Sequence, residues 1–451
     1  MKRAFWILCL LGCSTVPQGS SVSFRIATFS ADITPPIGHA LCGGMVAPAK
    51  RIADPLSGRG IILWGADEPI VIAALDWTEL RNDAYSLWRA ELAKAAGTSP
   101  RRVLLSCVHQ HDAPYADLAA QALLDKQGLK GFHVDPEFHG RAIQTVAAAV
   151  REAARAPKPV THLGIGQADV DRVASNRRVV VNGRVTFKRY SKTSDPAIKN
   201  APDGLIDPSL KLLSFWDGER AIAVLSSYAV HPMSYYGGGE VSADFPGLAR
   251  SKSEQAVPGV FWLHHTGCSG DVTAARYNNG NVASRRELAD RLHDGMMRAW
   301  KETRRAPLEK IGTQSSELHF DLPPAGPGSP ATMGKVLDDP AASKSDRLMA
   351  ALGLSWSTRV ARKEPIEVTA VNFGPAQFLL LPAEAFVEFQ LAAQRRRPDQ
   401  VIVTAGYGEC GPGYIPTEAA RSEGYVEEHG YCWVAAGAEE KLMKAIAEAL
   451  R

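Results

Sequence analysis

One unit recurs three times along this chain: two apolar strands around a short polar turn, then a helix, then a third apolar strand. In the first copy, GIILWGADEPIVIAALD (60–76) reads as the hairpin, NDAYSLWRAELAKAAG as a helix with a glycine stop, and VLLSCVHQH as the third strand. The second copy runs through LKLLSFWDGERAIAVLSSYAVHP (210–232), turning at Asp217-Gly218, then a short helix in ADFPGLARSKSEQA and a strand in GVFWLHHTGCSGD. The third pairs strands of IEVTAVNFGPAQFLLLPAE (366–384) around Gly374-Pro375, followed by AFVEFQLAAQRRR and VIVTAGYGE. Hairpins demand antiparallel neighbours, whereas a strand–helix–strand crossover allows parallel ones. The fold class that satisfies both is α/β, with mixed β-sheets flanked by helices in a single large domain over 21–451. The helical stretches DPEFHGRAIQTVAAAVREAAR and SRRELADRLHDGMMRAW cover the outer faces. After a Pro/Gly loop at 322–334, the charged helical insert DDPAASKSDRLMAALG reads as a surface elaboration in preference to a lid.

Polar residues gather where the apolar strands end. They are Asp76, His109 and His111 in the first unit, His231, His264, His265 and Asp271 in the second, and Glu384, Tyr407 and Glu409 in the third. Strand ends of a rigid sheet are where α/β proteins place their sites. In an extended strand His109 and His111, two residues apart, point to the same side. His109, His231 and Glu384 together offer two imidazoles and a carboxylate, a donor set suited to hydrolytic zinc. Zinc of that kind keeps a position open for water and lowers its pKa toward ~7.

Composition excludes other classes. A net charge of +3 with no basic, aromatic-laced stripe gives no case for nucleic acid. The start, MKRAFWILCLLGC, has basic residues, a short apolar run and small residues, the layout of a signal peptide over 1–20. LLGC, ending at Cys13, also fits a lipoprotein leader, so the expected destinations are secretion, the periplasm or a lipid anchor through Cys13. The cysteines beyond the leader, Cys42, Cys107, Cys268, Cys410 and Cys432, show no CxxC spacing. Pairing of Cys410 with Cys432 stays open.

Seven short motifs, in order, resemble the neutral/alkaline non-lysosomal ceramidases: FSADITPPIG, CVHQHDAP, YAVHPMSY, VSADFPG, TGCSGDVT, LPAEAF and GYIPTEAARSEGY. The resemblance covers most of the chain after the leader. It implies one Zn2+ per chain held by His109, His231, Glu384 and Tyr414. It implies His111 as general base or proton shuttle, Tyr425 as donor to the oxyanion, and Arg177 as a holder of the substrate's polar part. Thr273 stands where the family's glycine–aspartate loop carries a serine hydroxyl. The implied reaction is hydrolysis of the N-acyl bond of ceramide or a related amphiphile, at a site open to a membrane surface. The resemblance covers the catalytic part of the family and not its further β-sandwich domain. That favours, as an alternative, a smaller N-acyl compound such as an acylated amino sugar or a peptide-like amide. A non-catalytic binding protein of the same fold is the third reading. His264 and His265 depart from the family's pattern, and one of them is expected to reach the site.

Overall fold

The computed structural model describes Met1, residues 23–425 and residues 430–451, so Cys9, Cys13 and the rest of the leader lie outside the described residues. Each of the three units forms as expected. Strands Ser57–Trp64 and Ile70–Leu75 make the first hairpin, and helix Asn82–Ala96 ends at Gly97 in the left-handed region (φ +69°). Val103–Cys107 then returns parallel to Ile70–Leu75. In the second unit Ser209–Asp217 and Arg220–Tyr228 pair antiparallel, and helix Asp244–Ala256 leads to Phe261–Thr266, parallel to Arg220–Tyr228. In the third, Ile366–Asn372 pairs with Ala376–Leu380, and helix Val387–Arg396 leads to Val401–Ala405, parallel to Ala376–Leu380. Further antiparallel strands complete mixed sheets of five, five and four strands.

The parallel pairs position the site. Two parallel strands finish at the same end, so within each unit the loops leaving the hairpin and leaving the crossover strand lie side by side. The three sheets share one core, in which Ile72 and Leu104, Leu225 and Leu263, and Phe378 and Val403 are buried in a single cluster. Their loop-bearing ends converge as a result.

That central core corrects one expectation. His264 and His265 lie inside the strand Phe261–Thr266, paired with Ser226 and Ser227, and neither reaches the site. His265 Nδ1 hydrogen-bonds Ser106 Oγ at 2.8 Å, and its ring packs on Phe378. His264 Nδ1 meets Ser226 Oγ at 3.0 Å. Burial lowers both imidazoles to about 3, so both are neutral, His264 within its own sheet and His265 as a link between sheets.

Helix Pro136–Ala153 covers the first sheet and helix Val282–Lys301 the second. The insert is not a surface elaboration. Helices Pro330–Asp338 and Lys344–Ala361 pack on each other and bury Leu348, Leu352 and Trp356 in the core. Ser355 Oγ accepts from Asn82 at 2.9 Å and donates to Asp117, and Arg359 donates to Glu409 at 3.1 Å, so the second helix ties the first unit to the third. Glu409 is thereby committed to structure, and Asp271 likewise accepts from Asn176, Arg178 and the Val387 amide. Cys410 and Cys432 are both free thiols.

Asp76 is also structural. Arg250 donates to its two oxygens at 2.7 and 2.8 Å, tying the helix of the second unit to the first sheet. Burial opposes the charge on Asp76, but Arg250 and Ser57 outweigh it and hold the carboxyl below its ordinary range. Arg250→Ala strands that carboxylate in the interior. Urea denaturation should show a loss of about 3–5 kcal/mol, the usual result of breaking a buried pair from one side. A change within experimental error would mean that the pair contributes nothing.

Candidate metal centre

His109 and His111 meet for a different reason than their spacing suggested. The strand stops at Cys107, and His109 follows it in the left-handed region (φ +76°), its N–H bonded to the Trp77 carbonyl. This turn, and not a shared strand face, brings the two rings to 5.3 Å, almost perpendicular. His231 leaves the strand Arg220–Tyr228 and is fixed by its N–H to the Val272 carbonyl. Glu384 opens the short strand Glu384–Ala385, paired in parallel with Tyr414–Ile415, which sets Glu384 beside Tyr414. Ala383 and Tyr407, next to these groups, also have positive φ (both +56°). Such strain, about 1–3 kcal/mol per residue, persists where the fold over-determines a site.

The side chains converge on one point. His109 Nε2 lies 2.9 Å from His231 Nε2, and His111 Nε2 lies 3.2 Å from the same atom. Glu384 Oε2 is 3.4 Å from His109 Nε2 and among the described residues has no hydrogen-bond partner. The tautomers follow from the opposite edges of the rings. His109 Nδ1 faces the Thr78 carbonyl at 2.9 Å, and His231 Nδ1 faces the Ser269 carbonyl and the Tyr407 hydroxyl, each at 3.3 Å. Both Nδ1 atoms therefore carry the hydrogen, which leaves the two Nε2 lone pairs facing each other, with Glu384 Oε2 3.4 Å from His109 Nε2 and closest to His231 at its Nδ1 edge, 3.8 Å away. Three acceptors at this range repel unless a cation sits among them. Tetrahedral zinc with bonds of ~2.05 Å puts its donors ~3.3 Å apart, close to the 2.9 and 3.4 Å that separate His109 Nε2 from His231 Nε2 and Glu384 Oε2. The donor set fits zinc.

Electrostatics agree. Burial holds His111 and His231 well below the ordinary histidine value, helped by Arg177 and the neighbouring imidazoles, so both are neutral. Burial works against the charge on Glu384, and a proton on His109, the Arg177 charge and a hydrogen bond from Tyr414 outweigh it; with His109 neutral, a cation bound at the cluster would take the part of that proton. Arg177 is buried, not a surface residue, and donates to the Tyr414 hydroxyl at 2.7 Å. Tyr414 also hydrogen-bonds Glu384. Burial pushes the Tyr414 phenol well up, with Arg177 opposing. Tyr425 is buried, hydrogen-bonds Arg177 and packs edge-on against Phe386. Thr273 lies apart from this cluster: its hydroxyl donates to the Tyr190 carbonyl at 2.6 Å, and its backbone bridges to His231. It shapes the wall that carries Tyr190.

Several groups at the site carry no family motif. Tyr407 stacks on His109 at 4.0 Å while its hydroxyl meets Ser269 Oγ at 2.7 Å, so one ring steadies both histidines. Its place at a strand end was the signal for it. Glu79 lies 3.6 Å from His109 Nδ1, and Tyr115 and Tyr431 line the same hollow. Glu79 sits in DWTEL, three residues past the strand end at Asp76, with nothing in the sequence to single it out. The pocket has a volume of about 400 Å³. Its floor is the histidine–carboxylate cluster, and Met45, Met233, Met349 and Tyr236 supply apolar walls.

No protein-family model matches this sequence, and no curated protein matches it. Solved structures do. A ceramidase complexed with C2 superposes with a TM-score of 0.69 at 16% identity, covering 95% of this chain and 75% of that one. Neutral ceramidase from Pseudomonas aeruginosa gives a TM-score of 0.68 at 16% identity, covering 95% and 74%. The likeness read from seven short motifs thus extends to the architecture, and this chain is built on the neutral ceramidase fold.

Proposed function

We propose that this protein is a zinc-dependent amide hydrolase that cleaves the N-acyl bond of ceramide or a related N-acylated amphiphile. One observation carries the reading: at the floor of an apolar-walled pocket His109 and His231 point their Nε2 atoms at each other, and a buried Glu384 oxygen lies 3.4 Å from the first of them. His109, His231, Glu384 and Tyr414 would hold the metal. Zinc bound there supplies Lewis-acid polarisation of a carbonyl and lowers the pKa of water to ~7. His111, neutral and beside the cluster, takes a proton at Nε2 and passes it to the leaving amine nitrogen. Arg177 and Tyr425 form a hydrogen-bonded pair, from which Tyr425 donates to the oxygen that gains charge and Arg177 holds the polar part of the substrate. The methionine walls, with Met45 and Tyr190 reaching solvent at the rim, suit an acyl chain entering from a membrane surface. The leader supports an exported enzyme. Among the described residues no helix is long and apolar enough to cross a membrane.

The pocket's size favours a second reading, an N-acyl compound smaller than ceramide. About 400 Å³ is near the lower end of the roughly 300–1,000 Å³ usual for small-molecule sites. A hydrolysis screen over ceramides and short N-acyl amines, with and without a chelator, separates the two. Release of fatty acid that the chelator abolishes supports the enzyme reading, and the preferred acyl length chooses the substrate. No release from any of these amides by zinc-loaded protein would leave only a binding protein.

Tyr425→Phe tests the oxyanion donor. We expect kcat to fall ~10²–10³-fold, the loss typical of one such donor, with zinc content unchanged. An unaltered kcat would remove Tyr425 from the chemistry.

A further inference from the structure

The structure assigns Glu79 the task of holding His109 in its metal-binding orientation. The inference rests on the zinc reading above and adds to it a residue outside every motif of the resemblance. Glu79 is almost wholly buried, and a buried carboxylate needs compensation. Its Oε2 accepts from the Tyr431 hydroxyl at 3.1 Å. Its Oε1 is also buried, yet among the described residues it has no hydrogen-bond partner. Such an atom calls for an explanation.

Three explanations compete. A substrate-binding role does not account for Oε1: the Glu79 side chain lines the pocket, but this oxygen is buried, and the polar group nearest to it is the His109 ring. Service as counter-ion to Arg81 fails as a full account. The Arg81 guanidinium donates to the Gly411 carbonyl and to the Tyr115 and Tyr431 hydroxyls, so Tyr431 stands between the two charges. The third is His109. Oε1 lies 3.6 Å from His109 Nδ1, the edge opposite the nitrogen that faces His231 and Glu384. Thr78 and Glu79 are neighbours in the chain, so one short segment offers this ring edge both a carbonyl, at 2.9 Å, and a carboxylate. Burial and the Glu384 carboxylate push the Glu79 carboxyl up to about 7, against Arg81 and His109; a cation at the cluster would favour its ionised form, whose charge behind Nδ1–H fixes the tautomer and makes Nε2 a stronger donor. Tyr431, held by Tyr115 and Arg81, keeps the carboxylate in place. Glu79 is a positioning residue and does not touch the substrate.

The test is a zinc titration of chelator-stripped protein against a competing chelator, beside thermal melting of the metal-free form. Glu79→Gln keeps the shape and an oxygen for Tyr431 while removing the charge. It should weaken zinc ~10–100-fold, the usual effect of losing such a partner, and leave the metal-free Tm unchanged or raised. Glu79→Asp should recover part of the affinity, and it carries the test alone if Glu79→Gln does not fold. Wild-type affinity with a lowered metal-free Tm would overturn the inference, because Glu79 would then serve only Tyr431 and Arg81. Complete loss of zinc, as in a ligand deletion, would also overturn it and make Glu79 a ligand. Wild-type protein that binds no zinc would overturn the metal reading itself, an outcome distinct from both.

Discussion

His231→Ala abolishes both zinc binding and amide hydrolysis if the centre is built as described, and His109→Ala does the same. Each histidine presents Nε2 to the shared point, and each is locked there by a carbonyl behind its Nδ1. With either ring gone, one imidazole, Glu384 and a phenol remain, too few soft donors for a tight zinc site. The expected loss is total within detection, not a partial rise in KM. Packing loss cannot imitate it: removing a buried ring costs stability, which melting of the metal-free protein would report separately. Either variant retaining full zinc and wild-type turnover would show that the metal, if any, lies elsewhere.

His111→Ala should behave in the opposite way. Its Nε2 faces the same His231 atom at 3.2 Å, so geometry alone admits a third imidazole ligand. Its Nδ1 distinguishes it. Where His109 and His231 rest on backbone carbonyls, His111 Nδ1 has, among the described residues, only the Cys42 sulfur, 3.7 Å away. A thiol is a weak donor and a weak acceptor, so it locks neither tautomer. A ring that must gain and lose a proton at Nε2 needs that freedom; a structural ligand does not. We therefore expect near-stoichiometric zinc and a loss of ~10²–10⁴-fold in rate, mainly in kcat, as for a missing general acid–base. Loss of zinc as complete as in His109→Ala would make all three imidazoles ligands.

The hairpin–helix–strand units were legible because each is local. Strand alternation, the Asp217-Gly218 turn and the Gly97 stop act over a few residues and do not depend on the rest of the chain. From parallel pairing at strand ends, the approach of His109, His231 and Glu384 could be anticipated. What escaped depends on contacts between units. His264 and His265 look like strand-end residues until the register shows the strand running on to Thr266, where three sheets meet. The insert is rich in charge, and only its docking behind Asn82 and Asp117 reveals Ser355, Trp356 and Arg359 as interior residues. Glu79 and Tyr407 acquire meaning only from the ring they face, which no spacing encodes. Even the paired histidines were placed together for the wrong reason, since a left-handed residue after a strand leaves no mark at the level of periodicity.

On the proposed reading, this cluster is a single zinc site that performs the hydrolysis. Chelator-stripped wild-type protein, titrated with zinc while hydrolysis of a short N-acyl amine is followed, tests it most directly. The account predicts no turnover without zinc, then a linear rise that stops at one zinc per chain. Full turnover in the stripped protein, or none at any zinc concentration, would contradict it.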